Sequence, residues 1–333
     1  MTEDERLEVM RSVYWWGPAT FFACEHDADP SGCDIALVGV PHSTGNGSTE
    51  RDQHLGPRAV RHVSGNYRRI HRQFGIDPWS ACRINDVGDV VMPDFMVSDK
   101  AVRDIEAHFR RIDEAGARPV SVGGDHSISL PILRAVAGPG SRAGRPVALV
   151  HLDAHYDTFD RAETWYGVVD SAGHWASRAA REGLVDASRS VQVGRRGHPS
   201  RWAHLNVSAE LGYRVIEKDE ADEVGIDAVV AEIRERAGDV PVYVSFDLDV
   251  LDPAAAPAVS NLELGEEGFT MKEALRLLRG LRGLDVIGAD LVCFIPTKDA
   301  PNQITALSSV AVLFELICLI ADRLASTGGE GAR

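Results

Sequence analysis

Eight short apolar runs, separated by segments of helical periodicity, constrain the fold of this chain more than any other feature. Runs that are apolar at nearly every position predict strands buried on both faces, which is typical of parallel sheets covered by helices. The alternation therefore predicts an α/β fold with three layers, α-β-α, around a central, mostly parallel sheet of about eight strands. The predicted strands are Ile35–Val40, Arg83–Val87, Pro119–Val122, Val147–Leu152, Ser190–Val193, Arg214–Ile216, Val242–Phe246 and Val286–Leu291.

Helical patterns lie between most of these strands, and no linker rich in Pro, Gly or Ser divides them. We therefore expect one domain over residues 34–325, preceded by an irregular aromatic arm over 1–33 and followed by a flexible tail over 326–333. The last helix is apolar but interrupted by polar residues, which predicts a buried helix and no membrane span. The predicted helices are Val102–Ala115, Leu130–Val136, Ala172–Glu182, Asp227–Ala237, Met271–Leu278 and Thr305–Arg323.

The composition limits which cellular compartment and which kinds of binding partner we expect. The formal net charge is −15, from 35 basic and 50 acidic residues, and an acidic surface disfavours nucleic-acid binding. The five cysteines are odd in number and form no CxxC motif, which favours a reducing compartment over a disulfide framework. The first ten residues contain no apolar core of a signal peptide. A cytoplasmic protein without membrane or nucleic-acid partners is expected.

Three motifs that carry histidine and aspartate each follow a predicted strand. They are GGDHS at 123–127, DAHYD at 153–157 and SFDLDVLDP at 245–253. Because the carboxyl ends of parallel strands meet at one edge of a sheet, where ligands bind in open α/β folds, we expect the three motifs to lie together. In the second and third motifs the acidic side chains alternate, so they point to one side if the backbone is extended. Asp252, before Pro253, reads as a turn residue.

Carboxylates and imidazoles gathered in this way repel one another and resist burial unless a cation is present. A solvated acidic loop is the alternative, but the apolar strands that run directly into the motifs argue against it. Six ligands are too many for one catalytic ion with an open position, whereas two ions that share bridging carboxylates fit the number. Oxygen-rich ligation with some imidazole suits Mn²⁺ or a similar ion. The candidate ligands are His126, Asp153, His155, Asp157, Asp247 and Asp249.

In their order and spacing, the three motifs resemble the ureohydrolase family, which includes arginase and agmatinase, over roughly residues 34–325. GVPHSTGNG and LGPRAVR within 39–61 are similar to the agmatinase-like branch. The resemblance implies a hydrolase that cleaves a linear C–N bond of a small cationic guanidino compound, releasing urea and an amine. It further implies a homo-oligomer, either a trimer or a hexamer.

The resemblance also implies two divalent ions, Mn²⁺ by family expectation with Ni²⁺ as the alternative. One ion would be held by His126, Asp153, Asp157 and Asp247, and the other by His155, Asp153, Asp247 and Asp249. Asp153 and Asp247 would then bridge the two ions. A hydroxide between the ions would attack the guanidinium carbon.

Catalytic roles are implied for Asp157 and for His174. His174 is similar to the family's proton-shuttling or substrate-contacting histidine, although Trp175 follows where family members usually have glycine. A proton must reach the departing amine, and a nearby histidine is the usual carrier. The alternative is a histidine at a helix start in contact with solvent.

One departure leaves the substrate open, because Cys293 stands where the family places a glutamate that pairs with the guanidinium group. A neutral thiol cannot make a charge-assisted bidentate pair. The predicted substrate contacts are His174, Trp175, Cys293 and Glu263. Trp165, Tyr166 and Trp175 either close the pocket and stack on a planar cation or are packing residues. The acids that could replace the glutamate are Asp160, Glu163, Asp170, Glu263 and Asp299.

Several substrates are compatible with these features: a guanidino acid, agmatine, free guanidine or a formimidoyl compound. A different class of function is a non-catalytic, metal-binding relative that acts as a subunit or scaffold. The missing glutamate favours this second class. The retention of all six candidate ligands argues against it, because buried carboxylates without a cation are costly.

Overall fold

The computed structural model describes the chain apart from residues 12, 14, 15, 47–50, 68, 160–169, 199–206, 264 and 329–333. Its centre is a sheet of eight strands, all parallel. All eight predicted strands are confirmed, with ends that shift by at most two residues. The strands are β1 (Ile35–Val40), β2 (Ile84–Asp89), β3 (Arg118–Gly123), β4 (Ala148–Leu152), β5 (Val191–Arg195), β6 (Arg214–Glu217), β7 (Val242–Asp247) and β8 (Val286–Val292).

The order of the strands across the sheet is β2-β1-β3-β8-β7-β4-β5-β6. After β3 the chain crosses to β4, and β7 and β8 later fill the space between these two strands. The four central strands are therefore the three that carry the histidine and aspartate motifs, together with the strand that leads to Cys293. A reversal of strand order of this kind opens a crevice at the carboxyl edge, which is where open α/β sheets bind ligands.

Helices surround the sheet. They are α1 (Glu3–Arg11), α2 (Gly56–Ser64), α3 (Pro78–Ala81), α4 (Ser98–Ala115), α5 (Ser129–Val136), α6 (Trp175–Arg181), α7 (Val207–Leu211), α8 (Lys218–Val224), α9 (Ile226–Ala237), α10 (Met271–Gly280) and α11 (Ile304–Gly328). The six predicted helices are confirmed as α4, α5, α6, α9, α10 and α11, although residues 172–174 form a 3₁₀ turn ahead of α6. Among the described residues, the structure also contains α1, α2, α3, α7 and α8, which we did not predict.

The two faces of the sheet bury separate hydrophobic cores, which confirms the three-layer architecture. Along β1, Ile35 and Leu37 pack into one core, while Ala36 and Val38 pack into the other. This is the two-residue period of a strand covered on both sides. Helices α2, α9, α10 and α11 contribute to the first core, and α4, α5 and α6 contribute to the second.

Helix α11 lies within the first core. By length and composition Ile304–Thr327 could cross a membrane, but 83% of its most apolar window is buried inside the protein. Its one buried acid, Glu315, accepts a hydrogen bond from His71 Nε2 at 2.7 Å and another from Arg279 Nε at 2.9 Å. The prediction of a buried helix is confirmed. The predicted tail starts too early, because the helix continues to Gly328.

The N-terminal arm is only partly irregular. The prediction was wrong for Glu3–Arg11, which forms a helix whose polar sequence has no apolar stripe to reveal it. Further along, Phe21 and Phe22 are buried in the core. The backbone N–H of Phe21 donates to Asp86 Oδ2 at 2.9 Å. Phe21 and Phe22 thus pack this part of the arm on the core, while the domain boundaries themselves remain a prediction.

Candidate metal centre

The first motif leaves β3 through a sharp turn at Gly124. Its φ is +40°, and an added Cβ would lie 2.4 Å from the carbonyl oxygen of His42, so only glycine fits. The turn places His126 in a 3₁₀ turn at the carboxyl edge, where it is buried. Asp125 caps this turn by accepting a hydrogen bond from the backbone N–H of Ser127 at 3.0 Å.

The third motif brings its two aspartates together for a different reason from the one we expected. Asp247 is the last residue of β7, but Asp249 lies in a 3₁₀ turn, not in an extended segment. The backbone N–H of Asp249 donates to Asp247 Oδ1 at 2.9 Å, which fixes the turn. Arg196 holds the turn from outside, because its guanidinium donates to the carbonyl oxygen of Asp249 at 2.7 Å and to those of Val250 and Leu251 at 3.2 Å.

Four of the candidate ligands meet around His126. Its Nδ1 lies 3.1 Å from Asp153 Oδ2, 3.0 Å from Asp157 Oδ2 and 3.1 Å from Asp247 Oδ2. All four residues are buried. These are the four that the resemblance assigns to one ion, and three strand ends contribute to the group. We call this group the His126 half of the site.

The remaining ligands meet around His155. Its Nδ1 lies 3.2 Å from Asp153 Oδ1 and 3.2 Å from Asp249 Oδ2. Asp153 therefore directs one carboxylate oxygen to each histidine, which is the arrangement that a bridging ligand requires. Burial opposes ionisation of Asp153, but its three histidine neighbours, His126, His151 and His155, outweigh it and hold the pKa of this carboxyl well below its usual value. We call His155 with Asp153 and Asp249 the His155 half.

The tautomer of His126 shows that this cluster fits a cation. The hydroxyl of Ser245 donates its only proton to Asp290 Oδ1 at 2.6 Å, so it must accept from His126 Nε2 at 2.8 Å. In the neutral ring this leaves a bare lone pair on Nδ1, and Nδ1 is buried without a hydrogen-bond partner. A lone pair that faces three carboxylate oxygens is repulsive unless a positive charge lies between them.

The pKa shifts in the cluster have the same meaning. Burial opposes protonation of His126, yet its three carboxylate neighbours raise its pKa well above the usual value. Burial, and then the neighbouring Asp247, raises the pKa of Asp249 well above its usual range. A proton or a metal cation can balance these carboxylates, and two divalent ions can balance all four. The donor set therefore fits a binuclear divalent centre.

A support for Asp153 escaped our sequence reading. Gln192 Nε2 donates to the carbonyl oxygen of Tyr156 at 2.6 Å, which fixes the orientation of its amide. The same Nε2 lies 2.9 Å from His151 Nδ1, so Nδ1 accepts and the ring proton sits on Nε2. His151 Nε2 then donates to Asp153 Oδ2 at 2.8 Å. The one signal in the sequence was a histidine inside an otherwise apolar strand.

Trp175 lies in the interior, whereas a side chain that contacts the substrate must border the open side of the site. It has no exposed surface, and its ring packs 4.8 Å from that of His126. Its indole Nε1 donates to Asp157 Oδ2 at 2.9 Å. The prediction that Trp175 contacts the substrate is therefore corrected: it supports a candidate ligand from the buried side. Asp157 needs such support, because its backbone has a φ of +50°.

His174 is also buried, which excludes the alternative of a solvent-facing histidine. It lies in the 3₁₀ turn that contacts the turn of His126, and its Nδ1 is hydrogen-bonded to the hydroxyl of Ser171. Burial, and to a smaller extent the charge of Arg178, lowers its pKa to about 4. Its ring is therefore neutral at neutral pH.

Two further predicted contacts lie at the cluster. Glu263 Oε1 lies 3.0 Å from His155 Nε2, and its side chain is 28% exposed, so it borders the open side of the site. Cys293 is buried, and its Sγ is close to His126 and Asp247. By contrast, Asp170 pairs with Arg134 and Arg178.

Asp299 accepts hydrogen bonds from the backbone N–H groups of Ala300, Thr305 and Ala306, at the start of α11. Asp299 therefore caps the helix, and we exclude it as a replacement for the missing glutamate. Four other residues that we singled out lie outside the described part of the chain: Asp160, Glu163, Trp165 and Tyr166.

Comparisons with known proteins agree with this architecture. A model described as the arginase family matches residues 33–318. The chain is 40% identical over 310 residues to guanidinopropionase of Pseudomonas aeruginosa, with 93% of both chains covered. It is 38% identical over 289 residues to mitochondrial agmatinase of Gallus gallus, covering 87% of this chain and 82% of that one. Proclavaminate amidino hydrolase from Streptomyces clavuligerus superposes with a TM-score of 0.86 at 32% identity, covering 93% and 99%.

Proposed function

This chain belongs to the arginase family as a hydrolase of linear C–N bonds in guanidino compounds, and we propose that its substrate is a guanidino carboxylic acid. One water is consumed, the bond to the substituted nitrogen breaks, and urea and an amino acid are released. The observation that carries the proposal is the convergence of six histidine and aspartate side chains at the carboxyl edge of the sheet. The choice of an acid is supported by the 40% identity to a guanidinopropionase.

We propose that one ion is held by His126, Asp153, Asp157 and Asp247, and the other by His155, Asp153, Asp247 and Asp249. Mn²⁺ is the expected ion and Ni²⁺ the alternative. Such ions supply Lewis-acid activation of water at neutral pH. Asp157 takes part in catalysis as a ligand, and Trp175 and Ala176 hold it through its carboxylate and its carbonyl oxygen.

Glu263 is proposed to replace the glutamate that is missing at Cys293. A hydrogen bond with His155 lowers the pKa of Glu263, so the carboxyl is ionised. An ionised carboxylate at the open side can accept two guanidinium N–H bonds and draw the guanidinium group against the cluster. Among the candidate acids that the structure describes, Glu263 is the one that touches a proposed ligand.

His174 is proposed to carry the proton to the departing amine. Its neutral ring can accept a proton released from water and return it to the leaving nitrogen, since the same group serves as base and then as acid. The hydroxyl of Ser171 at Nδ1 fixes the ring, and Phe159 packs against it with the ring centroids 5.8 Å apart.

A cytoplasmic location and assembly into a homotrimer or homohexamer are also proposed. The five cysteines are free thiols in the structure, which agrees with a reducing compartment. Sedimentation of the purified protein measures the oligomeric state directly. A monomer would remove assembly from the proposal and leave the activity untouched.

The experiment is to measure urea release from guanidinopropionate, guanidinobutyrate, agmatine, arginine and guanidine, and formamide release from formimidoylglutamate, with Mn²⁺ and Ni²⁺ enzyme compared. We expect the highest kcat/KM for a guanidino acid. Glu263→Gln should lower it by about 10²-fold, equal to roughly 2.7 kcal/mol. Glu266→Gln is the matched control, since Glu266 contacts the backbone of Gly197 in the same region.

Other outcomes revise distinct parts of the proposal. A preference for agmatine or guanidine would correct the class of substrate. Formamide release from formimidoylglutamate would indicate a formimidoyl hydrolase. Lack of turnover of the whole panel by enzyme with two bound ions would favour the non-catalytic relative.

A further inference from the structure

The chain adopts an uncommon backbone conformation where it leaves β8. Cys293 has a φ of +71°, in a region of backbone conformation that residues other than glycine rarely occupy. Two contacts hold the backbone there: the N–H of Cys293 donates to the carbonyl oxygen of Gly124 at 2.9 Å, and Phe294 forms a bridge with Val259. Because these contacts impose the backbone conformation of Cys293, they also fix the direction of its side chain, which carries a thiol.

The thiol reaches the His126 half of the site. Strand β8 lies between β3 and β7, the strands that precede His126 and carry Asp247. The Sγ of Cys293, a ring nitrogen of His126 and a carboxylate oxygen of Asp247 all lie within 4.8 Å of one another. Cys293 is 5% exposed, so protein surrounds the sulfur. This spacing is compatible with three atoms that share one ion.

The histidine in this group supplies an independent reason to place an ion there. His126 Nδ1 is buried, has no hydrogen-bond partner and has its lone pair directed into the cluster, because Ser245 holds the proton on Nε2. The cysteine is thus one of several donors around a nitrogen whose lone pair a metal cation would satisfy. Within the described residues, none of the other four cysteines joins a group of this kind.

We propose that Cys293 supplies a sulfur ligand to the divalent ion on the His126 side, and that this sulfur shifts the choice of ion from Mn²⁺ toward Ni²⁺, Co²⁺ or Zn²⁺. The proposal rests on the binuclear centre proposed above. As the sulfur–metal bond forms, the thiol proton leaves to solvent. Thiolate favours these later ions, whereas carboxylate and water suit Mn²⁺.

The test uses the full chain loaded with Co²⁺, whose bond to thiolate gives a near-ultraviolet charge-transfer band that oxygen and nitrogen ligands do not give. We compare the wild type with Cys293→Ser and with Cys318→Ser. Cys318 is the matched control, because it is a fully buried free thiol in α11. Serine is close in size and keeps a donor toward Asp247, so the first variant removes little besides the sulfur.

We expect the band in the wild type and in Cys318→Ser, and its loss in Cys293→Ser. In an equimolar mixture of Mn²⁺ and Ni²⁺, Cys293→Ser should also lower the ratio of bound Ni²⁺ to Mn²⁺ by roughly tenfold or more. A wild-type protein with two bound Co²⁺ and no band overturns the proposal, whether or not the variant folds. A band that persists in Cys293→Ser also overturns it. These spectra do not depend on turnover, so a failure of the proposed substrate leaves them readable.

Discussion

His126 and His155 approach the same carboxylate of Asp153 from opposite sides, but their surroundings differ. The side chain of His126 is 2% exposed and is enclosed by Trp175, His151 and Ser245. The side chain of His155 is 28% exposed, and its outer nitrogen contacts Glu263, which is equally exposed. The His126 half is built into the core, whereas the His155 half reaches the surface through His155, which is partly exposed.

Because of this difference, one site can both hold an ion firmly and admit water and substrate. Ligands held by buried partners cannot relax, so the His126 half keeps its geometry and its ion. An exposed histidine lets water and substrate approach, which the His155 half requires if the guanidinium group is to be bound by Glu263. Asp153 joins the two halves, and its three histidine neighbours keep it ionised although burial opposes ionisation.

The largest expected effect comes from removing the residue that the two halves share. Asp153→Ala should lose both tightly bound ions and lower turnover by about 10³-fold or more, since several kcal/mol of charge stabilisation disappear. Metal analysis of the dialysed protein, together with urea release, measures both effects. Asp252→Ala is the control, because Asp252 belongs to the third motif and, within the described residues, accepts hydrogen bonds from the backbone N–H groups of Ala254 and Gly268. Two tightly bound ions in Asp153→Ala would mean that Asp153 does not bridge.

Removal of metal by a chelator should separate the halves. We expect two phases, with the ion of the His155 half leaving first because chelator and water reach an exposed ligand more readily. His155→Ala should remove the fast phase and leave one slowly released ion per chain, while the unfolding temperature of the metal-free protein stays close to that of the wild type. A single phase for both ions in the wild type would contradict the difference between the halves.

The sequence predicted those parts of the molecule that short segments encode. The strands were predicted because a run such as Val242–Phe246 is apolar at nearly every position, and strand ends place the motifs at one edge whatever the order of strands. Helices α1 and α8 were missed because their residues are mostly charged and form no apolar stripe. The local sequence pattern thus predicts buried elements well and exposed helices poorly.

The supports of the site were beyond prediction because they depend on which strands are neighbours. His151 contacts Gln192 only because β4 pairs with β5, with these two residues opposite each other in the register. Similarly, Ser245 contacts Asp290 because β7 pairs with β8 in the matching register. The spacing of the motifs along the chain contains no information about either pairing. The burial of Trp175, which overturned its predicted role, is likewise a property of the packed fold.

A smaller effect, confined to the His126 half and the shared carboxylate, is expected from His151. His151→Leu removes the N–H that donates to Asp153 Oδ2 and should weaken metal binding by roughly 10–100-fold, the usual range for a residue that orients a ligand. His151→Gln should recover most of this loss, because its amide nitrogen supplies a donor near the place of the imidazole Nε2. Calorimetric titration of the metal-free protein with Mn²⁺ measures both affinities.

The pair of variants distinguishes positioning from packing. If His151 only fills space beside His126 and Trp175, both substitutions will change the unfolding temperature of the metal-free protein and neither will change its affinity for metal. If His151 orients Asp153, the affinity for metal will depend on whether residue 151 has a hydrogen-bond donor. It will be weak in His151→Leu and restored in His151→Gln, even where the two variants are equally stable. Equal affinities for the leucine and glutamine variants would thus assign Asp153's position to the backbone N–H of His155, which donates to Oδ1 at 2.7 Å.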